Sequence, residues 1–217
     1  MTRDVGEGAG FASFVMRARA LGVTDTRVIG ALEKAERGAY AADDDRGRVF
    51  RAEMLPLPCG QAMERIDDAA LLLEAAGIEP EHRVLEIGTG SGFLTEALAR
   101  LAKKVVTVER YRTLLLAARE RHARRGLTNV VYLQRDGGGL GDVDGPFDRI
   151  VSTVAFPEPP RAFIEHLVAE GVLACPVGDA DGPQAIMRLE KVGVRFDRTA
   201  LGTGWFQLRE SGVAHAL

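Results

Sequence analysis

The sequence predicts an α/β fold: a three-layer arrangement around a mainly parallel sheet, with an antiparallel hairpin at one edge and short helices ahead of it. Three observations predict this. From Arg83 onward, short apolar runs alternate with helical patterns, and a glycine-rich turn joins the first run to its helix. The last two strand-like segments follow each other with no helix between them. Alternation of this kind builds right-handed βαβ crossovers and a sheet covered on both faces, whereas directly consecutive strands pair antiparallel.

In order along the chain, residues 1–10 are glycine- and acid-rich without periodicity, which predicts a loose terminus. Phe14, Val15, Ala18 and Leu21 then form a helical stripe closed by Gly22, and Val28, Ile29, Leu32 and Ala35 form a second one after a cap at Thr24–Asp25. Asp43, Asp44 and Asp45 read as a solvated turn. Arg51–Gln61, with Pro56, Pro58 and Gly60, reads as an ordered loop. A helix is expected over Ala62–Ala76, stopped by Gly77. Strands are expected at Arg83–Ile87, Lys104–Val108, Val130–Leu133, Phe147–Thr153 and Val172–Val177. The intervening helices are expected at Gly92–Leu101, Tyr111–Arg125 and near Pro160–Ala169. Gln184–Lys191 and Thr199–Arg209 make the edge hairpin across the turn-rich Val192–Arg198.

A chain of 217 residues makes one domain, or one with an appendage. With 46% hydrophobic and 27% charged residues it can bury a real core. The net charge of −3 gives no whole-protein basic footprint, so neither nucleic acid nor a membrane is expected as partner. Two cysteines, Cys59 and Cys175, make neither a disulfide framework nor a four-cysteine zinc site. The amino terminus lacks an apolar signal core, and a cytoplasmic protein is expected. His82, His122, His166 and His215 show no ligand spacing, so no metal is expected and they are assigned to surface or packing. The arginines at 110, 112, 119, 121, 124 and 125 sit on alternate faces beside Glu120, which reads as a solvated helix rather than an RNA-facing one.

The chemistry concentrates in Val84-Leu85-Glu86-Ile87-Gly88-Thr89-Gly90-Ser91-Gly92-Phe93, a strand running into a glycine loop that opens a helix. Glycines there let the backbone turn sharply and approach a ligand, and ligands bind at such strand ends. The spacing is G-x-G-x-G, with Phe93 where a dinucleotide fold needs its third glycine, so a nicotinamide cofactor is disfavoured. Glu109 ends the next strand, about 20 residues on, where a ribose diol needs a bidentate acceptor. Asp136-Gly137 follows the third strand, at the place to address an adenine edge.

These residues resemble those of S-adenosylmethionine-dependent methyltransferases of the Rossmann-like class. Gly60-Gln61, Val84–Phe93, Val108-Glu109-Arg110, Asn129-Val130, Asp136-Gly137, Pro146–Ile150 and Cys175–Gly178 followed by Gln184 recur in the order of protein-L-isoaspartate O-methyltransferases. The resemblance covers roughly residues 14–210. It implies an N-terminal helical extension and acceptor loop over residues 1–60, packed on an S-adenosylmethionine-binding domain over residues 61–217. It implies cofactor contacts at Glu86, Gly88, Thr89, Gly90, Gly92, Phe93, Glu109, Arg110, Asp136 and Gly137, and acceptor-side contacts at Gln61, Ala62 and Glu64. The implied activity is methylation of L-isoaspartyl carboxylates in damaged proteins, by a monomer that releases adenosylhomocysteine.

One departure stands out. Where the family carries Gln-Thr-Ile-Ser, this chain reads Gln61-Ala62-Met63-Glu64. An ionised Glu64 facing an isoaspartyl carboxylate would cost ~4 kcal/mol at 4 Å and an effective dielectric of 20. Weakened isoaspartyl methylation is therefore expected. Two alternatives stay open: a related methyltransferase with a small-molecule or RNA acceptor, and a cofactor-binding protein without turnover.

Overall fold

The computed structural model describes residues 5–138, 140–141 and 143–214, with backbone alone for residues 5–7. The expectations for residues 1–4 and His215 lie outside the described residues. Helix α1 spans Val5–Ala20, which corrects the loose terminus expected up to residue 10. Its apolar anchors explain the extension: Phe11 meets Phe50 edge-on at 5.6 Å, Phe14 is fully buried, and Gly10 leaves room for the Phe50 ring. Helix α2, Thr26–Ala35, is capped as expected by Asp25, whose side chain accepts from the Arg27 amide at 2.7 Å.

The aspartate triplet lies in a 3₁₀ segment, Asp43–Arg48, and Asp45 is buried against Arg48 rather than solvated. Leu55–Pro56 pairs antiparallel with Ala62–Met63, folding the proline-rich loop back on itself. That pairing holds Ala62 extended, so helix α3 begins later than expected and spans Ile66–Ala76. Gly77 ends it in the left-handed conformation at φ 56°.

The sheet has seven strands: β1 (Arg83–Ile87), β2 (Lys104–Glu109), β3 (Val130–Gln134), β4 (Phe147–Ser152), β5 (Leu167–Val177), β6 (Gln184–Val192) and β7 (Arg195–Gly204). Their order is β7-β6-β5-β4-β1-β2-β3. The first five are mutually parallel, and β5, β6 and β7 pair antiparallel in sequence. Helix α4 (Phe93–Leu101) connects β1 to β2, and α5 (Arg112–Arg124) connects β2 to β3. Since β2 lies on one side of β1 and β4 on the other, the strand order reverses at the carboxyl end of β1, where such sheets leave a crevice.

Period-two alternation sorts the strand residues onto two faces. Val84, Val105, Val151 and Ala174 pack with α1, α2, α3 and α4, while Leu85, Val106, Ile150 and Leu173 pack on the other face with Leu140, Val143, Phe156 and Phe163. That second layer is made of loops rather than helices. The helix expected near Pro160–Ala169 is a 3₁₀ segment, Arg161–His166, and β5 already begins at Leu167. Pro157, Pro159 and Pro160 remove amide donors and push the preceding residues toward extended backbone, leaving too few residues for a full helix. The edge hairpin is as expected, but its turn is only Gly193-Val194, with Val192 opposite Arg195. Beyond it, Gln207–Leu208 pairs parallel with Val154–Ala155 and brings the C-terminal segment to the crevice.

Candidate functional site

The glycine loop leaves β1 with Gly88 at φ 91° and Gly90 at φ 51°, both left-handed. The amides of Gly88 and Thr89 donate to the Val108 carbonyl at 3.0 and 3.3 Å. Thr153 donates its hydroxyl to the Gly88 carbonyl at 2.8 Å, and a side chain at Gly88 would collide with that hydroxyl. Glu109 sits opposite, only 6% exposed. Its two carboxylate oxygens accept from the amides of Gly90 and Tyr111, each at 2.9 Å, so the loop and the strand end are locked through one side chain. Burial raises the Glu109 carboxyl above its ordinary value, and the amide bonds from Tyr111 and Gly90 oppose that rise.

Between these groups lies a cleft enclosing about 620 Å³ of empty space, part of it open to solvent. Of the residues expected here, Gln61, Ala62, Gly88, Gly90, Glu109, Arg110 and Gly137 line it. Ile87, Val108 and Leu114 add apolar wall.

The others stand behind that wall. Glu86 is fully buried and accepts from the hydroxyls of Thr95 and Thr107 at 2.5 and 2.6 Å, while Thr107 and Thr89 share a further 2.5 Å bond. Burial pushes the Glu86 carboxyl up to about 8, against those hydroxyl bonds. Its place is thus beneath the loop. Gly92 caps α4 against His122, and Phe93 is core, edge-on to Tyr40 at 6.0 Å. Asp136 does not line the cleft: its oxygens accept from the amides of Gly138 and Gly212, each at 2.8 Å, and from Arg209, which does line it, at 2.9 Å. Burial pushes its carboxyl up, but the Gly212 and Gly138 amides and Arg209 outweigh this and hold it below the ordinary value.

Glu64 differs most from expectation. It does not line the cleft, and its Oε1 is buried with no hydrogen-bond partner. Burial raises its carboxyl, and the charge of the fully buried Arg37 opposes that rise. Arg37 in turn donates to the backbone carbonyls of Val49 and Glu64, which fixes where the 50–64 loop begins and ends.

Sequence reasoning missed the C-terminal wall. Gln207, Leu208, Arg209 and Glu210 all line the cleft. Gln207 accepts from the Ala62 amide at 2.8 Å, and Tyr111 links Gln61 to Glu210 through its hydroxyl at 3.3 Å on each side. Arg110 forms an ion pair with Glu210 and donates to the Gly212 carbonyl at 3.0 Å. The polar run Arg209-Glu210-Ser211 after the apolar strand pattern was the available signal.

The sequence model of the protein-L-isoaspartate(D-aspartate) O-methyltransferase family matches residues 11–201. The chain belongs to this family. A protein-L-isoaspartate O-methyltransferase of Rhizobium meliloti is 38% identical over 186 residues, covering 86% of this chain and 91% of the relative. One from a Caulobacter species is 41% identical over 180 residues, covering 83% and 82%. Among solved structures, a putative protein-L-isoaspartate O-methyltransferase from Plasmodium falciparum in complex with S-adenosyl-L-homocysteine superposes with a TM-score of 0.76 at 19% identity, over 91% of this chain and 97% of that one. A second protein-L-isoaspartate O-methyltransferase gives 0.78 at 20%, over 93% and 66%. The Rossmann-like methyltransferase fold of the family is therefore the fold of this chain.

Proposed function

We propose that this family member transfers a methyl group from S-adenosylmethionine to the carboxylate of L-isoaspartyl residues in damaged proteins. The observation that carries the reading is Glu109, a buried carboxylate clamped between the Gly90 and Tyr111 amides and lining the cleft at the crevice of the sheet. Its remaining lone pairs fit the two hydroxyls of a ribose. Gly88 and Gly90 admit the methionine portion without side chains in the way, and Val108, Leu114 and Gly137 offer a flat, largely apolar wall to adenine. Gln61 and Ala62 stand on the acceptor side.

The cofactor supplies a sulfonium-bound methyl group that leaves adenosylhomocysteine behind. The protein's own part is positioning. An isoaspartyl carboxylate is ionised at neutral pH, so no general base is needed, and the cleft has only to align acceptor and methyl group. The repulsion expected from Glu64 requires its carboxyl to face the acceptor, whereas Glu64 does not line the cleft and its Oε1 is buried, with Arg37 acting on the carboxyl. Isoaspartyl binding is then unopposed by that charge.

Large exposed apolar side chains, such as Met16, Leu116 and Val194, sit on separate elements, which supports a working monomer. Free Cys59 and Cys175 suit a reducing, cytoplasmic setting, and no described helix is long and apolar enough to cross a membrane. The test is methyl incorporation from S-adenosylmethionine into an isoaspartyl peptide and its aspartyl counterpart. Incorporation into the isoaspartyl peptide alone is expected; equal labelling of both, or of neither, contradicts the reading.

A further inference from the structure

His122 is fully buried in the last turn of α5, directly beneath the glycine loop. Its Nε2 lies 2.9 Å from the Gly92 carbonyl oxygen and its Nδ1 2.8 Å from the Tyr132 hydroxyl. A carbonyl only accepts, so Nε2 carries the proton, and in the neutral ring Nδ1 is left to accept from Tyr132. The ring stacks on Tyr132 with centroids 5.8 Å apart and meets Tyr40 at the same distance, so neither neighbour leaves it freedom to turn. Arg121, the preceding residue, donates to the Ser91 carbonyl at 3.3 Å. Two consecutive residues of α5 thus hold two consecutive carbonyls of the loop.

Gly92 shows how tight the fit is. Its φ is 91°, and a Cβ there would lie 2.7 Å from His122 Nε2. Val108 and Glu109 fix the near end of the loop through the amides of Gly88, Thr89 and Gly90. At the far end the Gly92 amide donates to the Thr89 carbonyl at 2.8 Å and Arg121 holds the Ser91 carbonyl, while the Gly92 carbonyl itself has the helical bond from the Glu96 amide, at 3.0 Å, and the imidazole.

Resting on the cofactor reading above, we infer that His122 is a positioning residue for cofactor binding: through the Gly92 carbonyl, its Nε2–H holds the far end of the glycine loop in the conformation that admits the cofactor's methionine portion. Tyr132 is the second member of the device, since its hydroxyl keeps Nδ1 occupied as an acceptor. The groups that face the ring are Glu96 from α4, Arg121 from α5 and Arg125 just past its end, Tyr132 from β3, and Tyr40 from the segment after α2. Burial holds the imidazole below its ordinary value, with the Gly92 bond and Glu96 opposing and the two arginines reinforcing, so the ring is neutral at pH 7.

Nitrogen-15 NMR of the intact protein at pH 7 is expected to show His122 as the neutral Nε2–H tautomer; the Nδ1–H tautomer or an imidazolium overturns the proposal. Calorimetric titration with adenosylhomocysteine, each variant held below its melting temperature, supplies the functional measure. His122→Leu fills the space without a donor and is expected to raise Kd about five- to tenfold, within the range of one lost hydrogen bond. His122→Gln, whose amide N–H reaches the same carbonyl, is expected to stay within about threefold of the parent, with Tyr132→Phe between the two. A purely space-filling histidine reverses that order, with leucine binding as well as the parent and only the melting temperature moving. That result overturns the proposal while leaving the cofactor reading intact; failure of the parent protein to bind adenosylhomocysteine overturns both.

Discussion

Glu64 shows how one side chain can change the reading of a site. From the sequence it is an acid where the family has a serine, and so a source of repulsion toward the acceptor. In the folded chain it does not line the cleft, its Oε1 is buried, and the fully buried Arg37 acts on its carboxyl. Arg37 meets Glu64 through the Glu64 backbone carbonyl and also feels Asp67, Glu53 and Asp68, so Glu64→Ser is expected to change stability by only about 1 kcal/mol. That is roughly 2–4 °C in melting temperature for a chain of this size. Isoaspartyl methylation measured below the transition is expected not to rise. A variant as stable as the parent and several-fold more active would show instead that Glu64 obstructs the acceptor. The burial of Arg37 and its two carbonyl partners belong to long-range packing, and nothing in the local sequence around Glu64 announces them.

At the scale of elements, the alternation from Arg83 to Gln134 is legible because each strand is a continuous apolar run and each helix carries its own stripe and stop. The far side of the sheet is not. Pro157, Pro159 and Pro160 convert an expected crossover helix into a 3₁₀ turn, and loops containing Leu140 and Phe156 cover strands that helices were expected to cover. The cleft was half legible: the strand-end residues Gly88, Gly90 and Glu109 announce themselves by spacing. The wall at 207–210 depends on a two-residue parallel pairing with Val154–Ala155 that no periodicity reveals. Asp136 is the hinge of that wall, holding the Gly212 amide and Arg209 at once. Asp136→Ala is expected to speed amide exchange at Gly212 several-fold and to weaken adenosylhomocysteine binding, while the strands keep their protection. Unchanged exchange at Gly212 would show that the segment is held by Arg110 and the Ala155 contacts alone.

For the molecule as a whole, buried carboxyls set the response to alkali. Glu86 is raised by burial from 4.5 in the unfolded chain to about 8 in the folded one, and Glu64 and Glu109 are raised as well. Between those two values the folded state binds the extra proton, so stability falls as pH rises and levels off once Glu86 is ionised in both states. His122 acts in the other direction, since its lowered value costs stability only in acid, and the buried Cys175 thiol, raised by burial, adds its own loss only as pH nears ~9, which makes roughly pH 7–8 the clean window. Across it the parent's melting temperature is expected to fall, and Glu86→Gln to show a flatter profile; parallel profiles would exclude Glu86 as the titrating group.

Cofactor binding depends on one assembly, the cleft at the carboxyl ends of β1, β2 and β3 with the Glu109 carboxylate in its wall. Calorimetric titration of adenosylhomocysteine into the parent protein and Glu109→Ala tests it most directly. Saturable binding is expected for the parent, with a loss of ~1.5–3 kcal/mol in the variant, roughly 10- to 150-fold in Kd, as befits charge-assisted hydrogen bonds. No detectable binding by the parent, or equal affinity in the two proteins, would contradict it.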